Sequence, residues 1–148
     1  AERRHFDASA QHVERAIRIA RASGPALMLP HYLCTKAELK FKEGKFEAAR
    51  SDAEEALAAA NAVGNKRAAA AARIVLADVD ASLGHPKEGE AQLQEAAALY
   101  KGLGAKAELG ETYMRLSRLA AALDPRTAQK YADLAYKATK KTSALVER

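Results

Sequence analysis

Tryptophan is missing from the 148 residues and aromatic residues supply only 5% of them, so one large core built on rings is not expected. Many thin helix-to-helix contacts are the alternative. Cysteine occurs once, at Cys34, which excludes an intramolecular disulfide and gives no sign of an oxidising compartment; the expected location is cytoplasmic. No run approaches about 18 apolar residues and no signal-peptide layout opens the chain, so neither a membrane span nor export is expected. An initiator methionine is also missing, from which an excised piece of a longer chain is expected. Charge of one sign does not dominate, since 24 basic and 19 acidic residues leave a net +5 that is spread along the chain without a basic stripe. A Gly-rich phosphate loop, HExxH, a paired CxxC and GxSxG are all absent. The expectation is a chain that is not an enzyme and needs no cofactor or metal.

Alanine is what the chain does have, at about a quarter of its residues, with only 8 Gly and 4 Pro to interrupt it. Alanine has the best helix propensity, so an all-α fold is expected. Between Gly44 and Gly64, the residues Phe46, Ala49, Ala53, Ala56 and Leu57 recur at spacings of three and four and form one thin apolar face. Arg50, Asp52, Glu54 and Glu55 fall elsewhere and are expected to stay solvated. A face so rich in alanine lets a second helix approach closely.

A first helix is expected over residues 6–22 on the stripe Phe6, Val13, Ala16, Ile17 and Ala20, ended by Gly24. A second runs from Pro25 or Pro30 to about Glu43, and the Ala-rich helix is the third. Ala72, Leu76, Val79 and Leu83 mark a fourth helix, and Leu93, Ala96, Ala97 and Tyr100 a fifth over residues 88–103. Thr112, Leu116, Leu119 and Leu123 mark a sixth over residues 105–123, and Ala128, Tyr131, Ala132, Ala135 and Ala138 a seventh behind Asp124 and Pro125. Gly24, Gly64 and Gly104 stand at intervals of 40, and the sixth helix repeats the fourth at the same interval. A fixed period of this size marks a repeat architecture.

On that period the helix pairs resemble tetratricopeptide repeats. The family's second-helix pattern is met by Gly44, Phe46, Ala49 and Ala56; Gly84, Gly89 and Ala96 keep part of it with Pro86 in the aromatic place, and Ala128 and Ala135 keep part behind Asp124. The family's small first-helix residue corresponds to Ala37, Ala77 and Ser117, and its tryptophan-like position to Leu33, Arg73 and Tyr113. A 40-residue repeat with a glycine after the second helix is similar to the repeats of MalT-like bacterial signalling ATPases and transcription activators. The resemblance implies a right-handed α-solenoid of antiparallel pairs forming one domain over 1–148. It would hold a partial repeat 1–24, repeats 25–64, 65–104 and 105–143, and a stub 144–148.

The resemblance also implies that the first helix of each pair lines a concave face. Its positions here are His31, Cys34, Thr35, Glu38, Phe41 and Lys42, then Ala71, Ile74, Val75, Asp78, Ala81 and Ser82, then Glu111, Met114, Arg115, Arg118, Ala121 and Ala122. Of these, Glu38, Phe41, Lys42, Ile74, Asp78, Met114, Arg115 and Arg118 are the candidate partner-binding residues, because apolar groups beside charges suit a peptide or helix. The expected function is a non-catalytic protein-binding module within a larger bacterial signalling or regulatory protein. The family's asparagine and lysine clamp for a C-terminal carboxylate is absent.

Other constellations are weaker. His5 and His12 lack a ligand partner at zinc spacing. His31 and Cys34 share a helix face, which fits a nucleophile less well than it fits packing. The acidic residues Glu47, Asp52, Glu54 and Glu55 read as a wet face, and Lys130, Lys137, Lys140 and Lys141 as a positive helix end. A regulatory segment used for self-assembly of a larger enzyme or transcription factor is the alternative function, and nucleic-acid binding a weaker one. Lys36 and Glu43 stand where leucines stand in the later repeats, so the first full pair is expected to pack differently. Val13 and Ile17, on a first helix short of cover, are the expected homo-oligomer contact, and Ala144, Leu145 and Val146 fall where a new helix should begin.

Overall fold

The computed structural model describes residues 2–23 and 27–147, with side chains for residues 7–22 and 27–140. Among these residues the chain is all-α, with seven helices and no strand: α1 (Glu2–Ser23), α2 (Leu29–Lys42), α3 (Phe46–Val63), α4 (Lys66–Ser82), α5 (Pro86–Leu103), α6 (Lys106–Ala121) and α7 (Pro125–Glu147). The proposed stops Gly24 and Pro25, and the side chains of His5, Phe6, Lys141, Ala144, Leu145 and Val146, lie outside the described residues. None of the described helices is long and apolar enough to cross a membrane.

The turns explain the spacing. Gly44, Gly64, Gly84 and Gly104 all have φ between 67° and 82°, the left-handed region that a side chain disfavours. After each of them the next amide reaches back across the helix end, as the N–H of Lys45 does to Lys40 O at 2.9 Å. The N–H of Asn65 donates to Ala60 O at 2.9 Å, that of His85 to Asp80 O at 2.8 Å and that of Ala105 to Tyr100 O at 3.0 Å. These bonds close orphan carbonyls and turn the chain back on itself. Left-handed glycines thus recur every 20 residues, once per helix rather than once per pair. Asn65 also caps α4, its side chain accepting from the N–H of Ala68 at 3.0 Å. Where the next glycine would fall stands Asp124, whose carboxylate accepts from the N–H of Arg126 at 3.1 Å and the hydroxyl of Thr127 at 2.7 Å. The last turn, Ala122 to Asp124, keeps the three residues of the turns at Gly44 and Gly84.

Each helix packs on its neighbours in sequence, and α2 also touches α4. The main core joins Ile17, Leu33, Ala53, Leu76 and Val79, and Leu93 and Leu116 centre a second cluster towards α7. Close approach shows at two glycines in helix interiors. A Cβ on Gly89 would meet Ala77 O at 3.2 Å, and one on Gly110 would meet Thr139 Cγ2 at 2.8 Å. Gly110→Ala is therefore expected to cost about 1–3 kcal/mol through overpacking between α6 and α7. Gly102→Ala, facing open space in α5, should be neutral or gain up to about 1 kcal/mol from helix propensity. Thermal melting of both variants checks this, and equal melting points would contradict it.

Several side chains sit differently from the expectation. Ile17 is 3% exposed within the main core and Val13 packs half-buried against it, so that stripe is used inside the fold and is not free for a homo-oligomer contact. Arg50 is not solvated but donates to Asp80 Oδ1 at 2.6 Å, and Asp80 is buried. Asp52 is also largely covered, and burial pushes its carboxyl up. Leu83 and Leu123 follow the last turns of α4 and α6 and are 36% and 48% exposed, not core. Residues 144–147 continue α7 and do not open a new helix. Lys36, where Leu76 and Leu116 stand in later repeats, sends its ammonium to Glu14 at 2.8 Å and Asp52 at 3.7 Å. A charge cluster there ties α1, α2 and α3 in place of a leucine contact. Its bond to Lys36 holds the Glu14 carboxyl below the usual range, so Glu14 favours the fold at neutral pH and loses that contribution in acid. Asp52 acts with the opposite sign.

Candidate functional site

The groove is built from the inward faces of α2, α4 and α6. Their register is fixed from behind by the small residues of each pair, Ala37 and Ala77 being fully covered and Ser117 donating to Ala128 O at 2.8 Å. The three tryptophan-like positions solve one problem in three ways. Leu33 is buried, Arg73 donates to Gln92 Oε1 at 3.0 Å, and Tyr113 stacks on Tyr131 with centroids 6.5 Å apart. With the rear face anchored, the front face is left to solvent.

Four cavities lie in series along that face. One of about 570 Å³ is lined by Glu38, Phe41, Lys42, Ile74, Val75, Asp78, Ala81, Ser82 and Arg115. A second, about 740 Å³, takes Glu111, Met114, Arg115 and Arg118 from α6 and Ala132, Ala135, Tyr136 and Thr139 from α7. A third, about 260 Å³, includes His31, Cys34, Thr35 and Glu38, and a fourth, about 240 Å³, lies between Asp78, Leu93, Arg115 and Arg118. Lining residues shared at Glu38, Asp78 and Arg115 set the four side by side, and together they make up the channel.

All eight candidate residues line this channel, six in the first cavity and the remaining two, Met114 and Arg118, in the second. Of the wider set, only Ala121 and Ala122 border none of the four. The α7 wall went unread, although Tyr136, at 63% exposure, is the most open ring on it. Its signal was the pair Tyr136 and Lys140, whose ammonium sits 5.5 Å from the ring centroid.

Charge in the channel is specific. Arg115 Nη1 donates to both carboxylate oxygens of Asp78, at 2.7 and 2.8 Å, tying α4 to α6. Burial pushes the Asp78 carboxyl up, and the guanidinium works against that shift. At the rim, Arg67 pairs with Glu108 across the same two helices. The Cys34 thiol donates weakly to Glu38 Oε1 at 3.8 Å, and burial, reinforced by that carboxylate, pushes it up to about 12. Cys34 is thus a packing residue held as the neutral thiol. At pH 8 it is expected to react with iodoacetamide at least about a hundredfold more slowly in the folded protein than in denaturant, because only the thiolate attacks. Mass spectrometry of timed labelling checks this; equal rates would contradict it. Among the described residues no group of three His, Cys, Asp or Glu side chains could hold a metal ion, and no buried side-chain polar atom lacks a partner.

No protein-family model and no curated protein matches the sequence. Among solved structures, one described as the crystal structure of BtubC (BKLC) from P. vanneervenii is similar, with a TM-score of 0.82 at 20% sequence identity. The likeness covers 94% of this chain and 58% of that one, so the chain spans little more than half the length of that protein. At this identity the similarity speaks for the fold alone.

Proposed function

We propose that the chain is a non-catalytic protein-interaction module, a solenoid of tetratricopeptide-like pairs that binds a peptide or helix along its concave face in the cytoplasm. The observation that carries this reading is the channel itself. Cavities bounded by α2, α4, α6 and α7 lie side by side on shared lining residues, and they mix apolar side chains such as Phe41, Ile74 and Met114 with charged ones. Such a surface offers anchoring pockets and orienting charges to an elongated ligand. The half-open pockets and the raised Cys34 thiol give no nucleophile, general base or phosphate cradle on which to build a reaction.

Selection of a displayed random-peptide library on the folded chain tests the proposal. Enriched peptides should lose about tenfold or more in affinity on Phe41→Ala and on Arg118→Glu; the melting temperature should hold for Arg118→Glu, whose side chain is exposed, and fall modestly for Phe41→Ala, whose half-buried ring packs on the main core and on Phe46. Enriched peptides that bind both variants as well as the parent would remove the groove from the account.

A further inference from the structure

Glu38, Asp78 and Arg118 occupy one register, 40 residues apart, on α2, α4 and α6, and all three border the channel. The middle member is neutralised by Arg115 at 2.7 Å. One repeat earlier the place of Arg115 is taken by Val75, so Glu38 has no equivalent cation. Among the described residues it has no ion pair, and its one hydrogen bond is the weak one from the Cys34 thiol. Arg118 has no ion pair or hydrogen bond among the described residues. Both end members are exposed. The row therefore reads free anion, neutral pair, free cation, with Ile74 and Val75 beside its centre and Met114 near its basic end. Lys42 lies one turn beyond Glu38 and Glu111 two turns before Arg118, flanking the row without sitting on it.

We infer that the channel takes an extended segment of another protein carrying a basic side chain, then apolar ones, then an acidic side chain about six residues from the first. The inference rests on the reading of the groove as a protein-binding face and adds the chemistry of its occupant. Packed helices lie about 8–10 Å apart, as α2 and α4 do, while α4 reaches α6 through the long Asp78–Arg115 pair and not by close packing, so the two steps span roughly 20 Å. Extended chain at about 3.3 Å per residue covers this in about six residues, with alternate side chains facing the groove. A basic group meets Glu38, apolar groups meet Ile74 and Met114, and a carboxylate meets Arg118. Charges so placed select among partners more than they add affinity.

The test uses three blocked, fluorescent heptapeptides with leucine at the third and fifth places and serine between. Their ends are lysine and aspartate, two lysines, or two aspartates. Anisotropy at low salt should show the wild-type chain preferring the mixed peptide by roughly three- to tenfold, the scale of exposed ion pairs with like-charge mismatch, and losing the preference at high salt. Arg118→Glu should switch preference to the dilysine peptide and Glu38→Lys to the diaspartate one, with melting points unchanged. Preferences that do not follow the two substitutions, or no binding of any of the three to wild type, would overturn the inference. Library peptides that still bind in the groove would then leave the broader reading standing, and their absence would remove both. Sedimentation of the peptide-free chain adds one outcome: a dimer dispersed by either charge reversal would put a second copy in the groove and would also overturn the inference.

Discussion

Leu76→Ala is expected to remove about 2–5 kcal/mol of folding stability, the range for a buried leucine replaced by a cavity. Leu76 is 3% exposed and sits in α4 where the main core joins α2, α3 and α4. Half of the buried residues that share its cluster are alanines, including Ala37, Ala53 and Ala72, which have no spare side-chain length to fill the gap. Partial collapse is therefore poor, and the cost should fall in the upper half of the range. Leu83→Ala, at a site 36% exposed just beyond the same helix, should cost well under about 1 kcal/mol. Because each helix packs mainly on its sequence neighbours, the loss should be uneven along the chain. Hydrogen exchange should show α2 to α4 losing protection while α6 and α7 keep most of theirs. A uniform loss in one cooperative transition of unchanged denaturant slope would contradict that local behaviour.

Arg50→Ala is expected to destabilise by about 2–3 kcal/mol, because it strands a buried carboxylate. The Asp80 side chain is 6% exposed and Arg50, 29% exposed, is its ion-pair partner. Removing the aspartate instead leaves a guanidinium that reaches water, so Asp80→Ala should cost less than Arg50→Ala. Alanine already stands at the matching place one repeat on, at Ala120, which is buried. The double variant Arg50→Leu, Asp80→Ala should recover most of the loss, since no unpaired charge remains. Urea denaturation of the cycle measures this. Equal single costs, or a double variant as unstable as the sum of the singles, would show that the pair acts as two independent surface charges.

The helices were legible because apolar spacing of three and four survives even when the apolar residue is alanine, and because glycines mark the turns. Boundaries were read within a few residues; α5 begins at Pro86, earlier than expected, since proline fits a first helical turn where its missing N–H is not needed. Leu83 and Leu123 misled for a related reason: they continue the periodicity past the point where the helix stops. The charge pairs were hidden because Arg50 and Asp80, or Asp78 and Arg115, are 30 and 37 residues apart and meet only once the pairs stack. Lys36 announced itself as an odd residue in a leucine register, but not that Glu14 and Asp52 would answer it. The α2, α4 and α6 walls of the channel followed from the tetratricopeptide resemblance laid on the 40-residue register, whereas the α7 wall depends on how the last helix lies against α6.

The central claim is that a ligand lies along the inner faces of these helices. Chemical-shift mapping on isotope-labelled protein, titrated with a library-selected peptide, tests it most directly. The account predicts perturbations concentrated at Phe41, Ile74, Asp78, Met114 and Arg118. Perturbations confined to the outer helices α3 and α5, with those five unmoved, would contradict it.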